Sequence, residues 1–425
     1  MAVSLTDSAT RRLVNFGAIY FAQGLPMGFA VFAVPAWLAE ARMPTADIGM
    51  VGATTMLPWA FKVVWAPLVD RFRFRAMGRF RAWIVGAQLG LVASTVALLA
   101  LPSPLDHLHA LGGSLFAQAL FASMSDVAGD GLAVEVLPVG ERGLANAVMS
   151  GAQAVGNVVG GAGLSAVLAA AGFRAAAATS LLLVLAACAP TLLLRERPGE
   201  RLLPWTRGSA ALVAADRAPL ALAGSARLVA RSVLARPSAR GLVVWIATSF
   251  LSGCLSVLMT ASAVRDHGFR QAEYASLGAL ALAPNLIGAL VGGRLADRRG
   301  RASVVAAALL FGAISWGGFG LLSPQWSNKG VWIVQALVAA ASSGALSTVL
   351  TAFFMDVTDP RIAATQFAIC MAFGNLGSVL GRASAGALEA RLPLPGLALA
   401  AGTALTILAV WTANSPAISL LPRKV

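Results

Sequence analysis

Long apolar runs, separated by short clusters rich in arginine, glycine and proline, set the pattern of this chain. They fall at about residues 13–39, 47–69, 82–101, 112–135, 144–170, 174–194, 241–264, 273–293, 303–323, 330–354, 362–387 and 396–415. Each holds roughly 20 residues or more, enough to cross ~30 Å of hydrocarbon at ~1.5 Å per helical residue. Lipid offers the backbone no hydrogen-bond partners, so spans must be helices or a closed barrel. Barrel strands would alternate polar and apolar residues over short segments, and these runs do not. The pattern predicts an all-α integral membrane protein of twelve transmembrane helices in two pseudo-symmetric six-helix bundles, 1–194 and 241–425, joined by a linker over 195–240.

Composition agrees with that class. Of the 425 residues 58% are hydrophobic and only 12% charged, against about 25% charged in soluble chains. Mean hydropathy is +0.77. Cys188, Cys254 and Cys370 lie inside apolar runs, with no disulfide framework or zinc spacing, and read as small buried hydrophobes. His107, His109 and His267 fall in short polar connections and read as loop residues. No metal or cofactor is expected. The apolar run behind Arg11 and Arg12 is too long for a signal-peptide core and no compelling cleavage site follows it, so we expect it to be a span.

Basic residues orient the chain. The termini and even-numbered connections carry 24 Lys and Arg, the odd-numbered connections six, and Lys62 and Arg382 lie within spans. The positive-inside rule then places both termini in the cytoplasm. The formal net charge of +14 is explained by orientation and by attraction to anionic lipid, without a nucleic-acid partner. The linker is the one long cytoplasmic connection. Its later part reads either as an interfacial amphipathic helix or as a loose charged tether.

The two halves echo each other. APLVDRFRFRAMGRFR follows the second run and GGRLADRRGR the eighth. VEVLPVGERGLANAV follows the fourth and MDVTDPRIAATQFAI the tenth, each reaching a Gly-Asn pair, at 156–157 and 374–375. Repeated halves of this kind bind solute between them near mid-membrane and alternate access by rocking.

GRLADRRGR, from Gly293 to Arg301, resembles the loop signature of the major facilitator superfamily, with Asp70-Arg71 and Gly78-Arg79 as a stretched counterpart. YFAQGLPMGF, PWAFKVVWAPLVDRF and SDVAGDGLAVEVLPVGERGLANAV are similar to its muropeptide permease and acetyl-CoA transporter branch. The wording DGLAV…RG.AN.V followed by GNVVGG resembles the twelve-span siderophore permeases of the rhizobactin and pyochelin type. This covers residues 13–165 well and the second half in outline. The resemblance implies the major facilitator fold and proton-driven import. Muropeptide permeases commonly carry extra C-terminal spans for which this chain has no room, which turns the expectation toward another bulky polar solute such as a siderophore.

Candidate chemistry follows from charges inside apolar runs, each costing roughly 2.5–3.5 kcal/mol near the bilayer centre. Asp126 and Asp130 are four residues apart and share a helical face. Lys62 precedes Asp70 by eight residues and Asp126 precedes Glu135 by nine, so both stand about 12–13 Å above the inner ends of their spans. We expect Lys62, Asp126 and Asp130 to form the proton-coupling ion pair, with a static salt bridge as the alternative reading. At the cytoplasmic ends Asp70, Arg71, Glu135, Arg142, Asp297, Arg298, Asp356 and Arg361 are expected to work as a gate. The expected solute cavity takes Tyr20, Gln23, Trp59, Trp65, Gln153, Asn157, Asn285, Gln335, Gln366 and Asn375. Each of the polar side chains among these reads equally as interhelical glue, while the chain's tryptophans are mainly interfacial anchors and Trp59 and Trp65 are set apart by flanking Lys62. Gln23-Gly24-Leu25-Pro26 is expected to break the first helix and expose carbonyls. Arg382 reads either as snorkelling to water or as recognition of an anionic solute.

These features point to a monomeric secondary transporter with lipid, solute and protons as partners, a proton symporter by the resemblance. A muropeptide or other cell-wall fragment permease is the alternative, and a non-transporting membrane assembly factor is the reading from another class. No nucleophile–base spacing or phosphate loop points to an enzyme.

Overall fold

The computed structural model describes residues 4–72, 76–206, 208, 231–358 and 363–414, without the side chains of residues 66, 70, 71, 139 and 363–365. Regular structure in these residues is helical apart from one isolated bridge, Ser4 to Arg195. Among the described residues eight helical runs, Ala9–Glu40, Arg236–Asp266 and Lys329–Val357 among them, are long and apolar enough to cross a membrane.

Two compact units divide the chain. The first comprises Met1–Val34 and Thr54–Ala218, the second Pro35–Ala53 and Pro219–Val425. The segment Pro35–Ala53, early in sequence, thus packs within the second unit.

In chain order the helices are α1 (Ala9–Gly28), α2 (Val34–Glu40), α3 (Thr45–Ala60), α4 (Trp65–Arg71), α5 (Arg81–Leu99), α6 (Leu108–Val136), α7 (Arg142–Val158) and α8 (Leu164–Leu193). There follow α9 (Arg236–Asp266), α10 (Gln271–Leu280), α11 (Leu282–Arg299), α12 (Arg301–Leu321), α13 (Lys329–Val357), α14 (Ala363–Glu389) and α15 (Leu394–Ala413). Helical geometry fails inside α8 at Gly172, whose φ of +82° suits a residue without Cβ.

Helix pairing repeats between the units. α1 packs on α7 as α9 packs on α14, and α5 on α8 as α12 on α15. Glycine makes the α1–α7 contact close: a Cβ on Gly28 would stand 2.2 Å from the Asn157 carbonyl oxygen, and one on Gly160, in the π-helical segment Val159–Gly163 that continues α7, 1.9 Å from that of Leu25. Each unit has its own apolar core. Phe16, Ile19, Ile84 and Leu132 are among the first, and Val305, Leu309, Val349 and Phe353 among the second.

Two local departures from the expected helices shape the site. The predicted break at Gln23–Pro26 does not occur: α1 runs through Pro26 to Gly28 and then widens into a π-helical segment, Phe29–Ala33. Gly24 serves close packing there, since a Cβ would meet the Gln153 carbonyl at 2.2 Å. The second predicted span is itself broken. Pro58 and Pro67 each lack an N–H and so leave the carbonyl four residues earlier without its helical partner. Between them the chain tightens, with Phe61 N–H bonding Pro58 O at 3.2 Å and Val64 N–H bonding Phe61 O at 3.0 Å. Lys62–Val64 is a 3₁₀ turn, so Lys62 stands at a helix break rather than inside a continuous helix.

Candidate functional site

The first unit gathers its charges around α6. Lys62 Nζ donates to Asp126 Oδ2 at 3.1 Å, and its ammonium lies 5.8 Å from the centroid of the Trp59 ring. The other oxygen of Asp126 faces Gln23. With the Gln23 amide nitrogen turned to the carboxylate it donates to Oδ1 at 3.2 Å, while the amide oxygen accepts from Asp126 N–H at 3.3 Å. That orientation satisfies both groups. Asp126 is 7% exposed; with a partner on each carboxylate oxygen it has the environment of a fixed anion.

Asp130 is one turn further along α6 and differs on each point. Its side chain is exposed, and its carboxylate accepts a hydrogen bond from the hydroxyl of buried Tyr20. The expected three-member cluster therefore resolves into two dyads. Lys62 pairs with Asp126 and not with Asp130, whose partner is Tyr20. The break at 61–64 accounts for the choice, since it fixes the lysine at the level of the first acid.

Other expected cavity residues scatter. Trp65 Nε1 donates to Ser123 Oγ at 3.1 Å, bracing α4 against α6. Gln23 and Trp59 line a small cavity with Pro26, Thr55 and Gln118. Asn157 is half-buried with a buried, unpartnered Oδ1, and Gln153 is half-buried on the same helix. In the second unit Asn285 Nδ2 donates to Ala340 O at 3.1 Å, and Ser315 Oγ to Gln335 Oε1 at 2.8 Å. Gln366 Nε2 donates to Val357 O at 3.5 Å. These three bonds join helices or helix ends and read as glue. Asn375 and Arg382 are half-buried on α14.

At the ends of their spans Glu135 and Asp356 pair with arginines of the two loop motifs, Arg79 and Arg301, rather than with Arg142 or Arg298. Glu135 binds Arg197 of the linker and Arg79, the latter at 3.7 Å. Arg142 instead is exposed and donates to the Val134 carbonyl at 3.4 Å. Asp297 and Asp356 share one partner, Arg301, each at 3.0 Å, whereas Arg298 is exposed. Arg301 was thus the missed member of its own motif. The side chains of Asp70 and Arg71, and all of Arg361, lie outside the described residues.

Sequence reasoning also missed a second lock. The Glu196 carboxylate accepts from the N–H groups of Arg79, Phe80 and Arg81 at 3.3, 3.1 and 3.0 Å, capping α5 from the linker. Arg81, 1% exposed, donates to the carbonyls of Thr191, Leu192, Leu194 and Leu202 around the end of α8. Arg12 binds Glu141 at 2.6 Å. The start of the linker is a packed part of the first unit; residues 209–230, which hold most of the later part read as an amphipathic helix or a tether, lie outside the described residues. Burial pushes the Glu196 carboxyl up. Burial and then the charge of Glu196 push Glu200 to about 7.

Comparison with known proteins gives this geometry a family. The profile of the Major Facilitator Superfamily matches residues 16–382 and again 242–422. The anhydromuropeptide permease of Escherichia coli (strain K12) is 26% identical over 368 residues, 84% of this chain and 70% of that one. An uncharacterized protein of Haemophilus influenzae is 31% identical over 163 residues, 38% of this chain and only 37% of its own length. Among solved structures, a POT family transporter in complex with 5-aminolevulinic acid superposes with a TM-score of 0.74 at 11% identity, over 98% of this chain and 99% of that chain. A second, in complex with a thioalcohol-conjugated peptide, gives 0.73 at 9% identity, over 96% and 97%. At these identities the likeness is one of fold.

Proposed function

The chain belongs to the Major Facilitator Superfamily, and from that premise we propose that it is a proton-coupled secondary transporter importing a bulky polar solute across the bacterial inner membrane. It works by alternating access, through twelve spans with both termini in the cytoplasm. A cell-wall fragment of the anhydromuropeptide kind is the first solute to test, supported by the 26% identity to the E. coli permease over most of this chain. A siderophore is the second, supported by the DGLAV and RGLANAV wording of the first half.

The observation that carries the coupling is the difference between the two acids of α6. Asp126 has a partner on each oxygen, the Lys62 ammonium on one and the Gln23 amide on the other. Asp130 has the Tyr20 hydroxyl and an open face, so it is the acid that exchanges a proton. With Asp130 ionised, Lys62, Asp126 and Asp130 sum to one negative charge; with Asp130 protonated they sum to zero. Carrying net charge through low-dielectric surroundings is costly, so the change of access is easier in the protonated form. Tyr20 donates to the anion and, by rotating its hydroxyl, accepts from the acid, so it follows the proton without a large movement. The proton enters from the outer side, rides on Asp130 with the solute, and leaves to cytoplasmic water.

Uptake of labelled anhydromuropeptide and labelled ferric siderophore by a deletion strain carrying the gene or an empty plasmid tests this reading. Gene-dependent accumulation abolished by collapsing the pH gradient is expected for one of them. Accumulation of neither, with the protein present in the membrane, favours a non-transporting assembly role.

A further inference from the structure

We propose that Arg382 recognises the solute by binding a carboxylate that the solute carries, so that the transported class is anionic. This rests on the transport reading above and extends it from the first unit to the second.

Among the described residues the guanidinium has no counter-ion. Among the described residues none accepts a hydrogen bond from Arg382 or lies within ion-pair distance, and its Nε is buried without a partner. The two buried arginines of the first unit are engaged by contrast: Arg81 holds four carbonyls and Arg12 holds Glu141. An unpaired cation inside a membrane span is costly and is kept where it has a ligand or a water-filled approach.

Its depth and direction argue against snorkelling. Arg265 donates to Thr45 Oγ1 at 2.7 Å and to Glu389 at 3.3 Å, so the start of α3 and the end of α14 lie at one level. Arg382 lies seven residues inward from Glu389, about 10 Å along the helix. Gly52 lies seven residues inward from Thr45, at the same depth. Helical side chains leave the backbone tilted toward the helix N-terminus. For Arg382 that is toward Ala363, away from the near surface, so the guanidinium points deeper.

Glycine opens the facing helix at this level. A Cβ on Gly49 would stand 2.3 Å from the Arg382 carbonyl oxygen, so only glycine lets the helices approach. A Cβ on Gly52 would lie 3.5 Å from Arg382 Nη1, in ordinary contact. A bare helix surface beside an unpaired planar cation suits a carboxylate, which accepts two parallel hydrogen bonds from the guanidinium.

The same geometry supplies the test. Gly52→Asp would set a carboxylate within ion-pair reach of the guanidinium and occupy it from inside the protein. Uptake into proteoliposomes is measured for an anhydromuropeptide with a free peptide carboxylate and for its methyl ester, with wild type, R382K, R382Q and G52D. For the free acid R382Q and G52D should raise KM about thirtyfold or more, with Vmax little changed and R382K between. The ester should show one KM throughout. An unchanged KM for the acid, or equal losses for acid and ester, overturns the proposal.

If wild type takes up neither compound, that solute is wrong, and a second measurement judges Arg382. Melting of wild type and R382Q is followed in zwitterionic nanodiscs against N-acetylated peptides with free or amidated C-termini. Saturable stabilisation of wild type by the free acids alone, lost in R382Q, sustains the proposal. No difference between the proteins overturns it. So does stabilisation that phosphatidylglycerol in the nanodisc abolishes, because the ligand is then a lipid headgroup.

Discussion

Removing Lys62 should destabilise the first unit more than removing its partner, and removing both should restore most of the loss. In Lys62→Met the Asp126 carboxylate keeps Gln23 but loses its only cation within 4 Å among the described residues. Breaking a fully buried pair costs about 3–5 kcal/mol and an exposed one about 0–1. The side chains here are 30% and 10% exposed for Lys62 and Asp126, so the cost should be about 2–3 kcal/mol. Asp126→Asn leaves a lysine that keeps some water and the Trp59 ring, so about 1–2 kcal/mol is expected. The double variant carries no orphan charge and should lie within about 1 kcal/mol of wild type, a coupling of roughly 2 kcal/mol or more. Reversible unfolding of the purified protein in mixed micelles, run as a double-mutant cycle, measures this. Additive losses, or a Lys62→Met cost below about 0.5 kcal/mol, would refute a strongly coupled pair at the break between α3 and α4.

Other consequences follow from the packing and from the charges at the helix ends. Gly160→Ala places a Cβ 1.9 Å from the Leu25 carbonyl oxygen and should cost about 2–3 kcal/mol by forcing α1 from α7; a melting temperature equal to wild type refutes the contact. Glu200, with its pKa raised to about 7, binds a proton more tightly folded than unfolded. The penalty of its ionised form is therefore absent below about pH 4.5, grows through the window up to pH 7 and is complete above it. Wild type should lose on the order of 2–3 kcal/mol across that window relative to Glu200→Gln, and parallel pH–stability curves would contradict this. Arg301→Gln removes the shared partner of Asp297 and Asp356. Because these are largely surface pairs, stability should change by less than about 1 kcal/mol while transport slows; unaltered transport would remove Arg301 from the gate.

The reach of the sequence is clearest around α6. Acids in an apolar run stand out because lipid makes each one costly, and their four-residue spacing gives a shared face. Lys62 was legible for the same reason, and Tyr20 and Gln23 as polar groups in a span. The division of labour was not, because it depends on the 3₁₀ turn at Lys62–Val64. Pro58 and Pro67 were a usable signal for that turn. Gln23–Pro26 suggested a break where the chain only widens, because close packing on α7 holds the helix. The Glu196 and Arg81 lock joins residues 115 positions apart, and no local pattern marks such a pair. Arg301 was overlooked inside a recognised motif, since the motif names residue types and not which arginine meets which acid.

We propose that Asp130, with its open face and Tyr20 partner, carries the coupled proton while Asp126 serves as the partner of Lys62. The most direct measurement compares wild type, Asp130→Asn and Asp126→Asn in proteoliposomes, each first shown to be folded, for uphill accumulation under an imposed pH gradient and for solute exchange without one. Asp130→Asn should keep exchange within a few-fold of wild type but lose gradient-driven accumulation. Asp130→Asn that still accumulates solute and still responds to collapse of the gradient would contradict it.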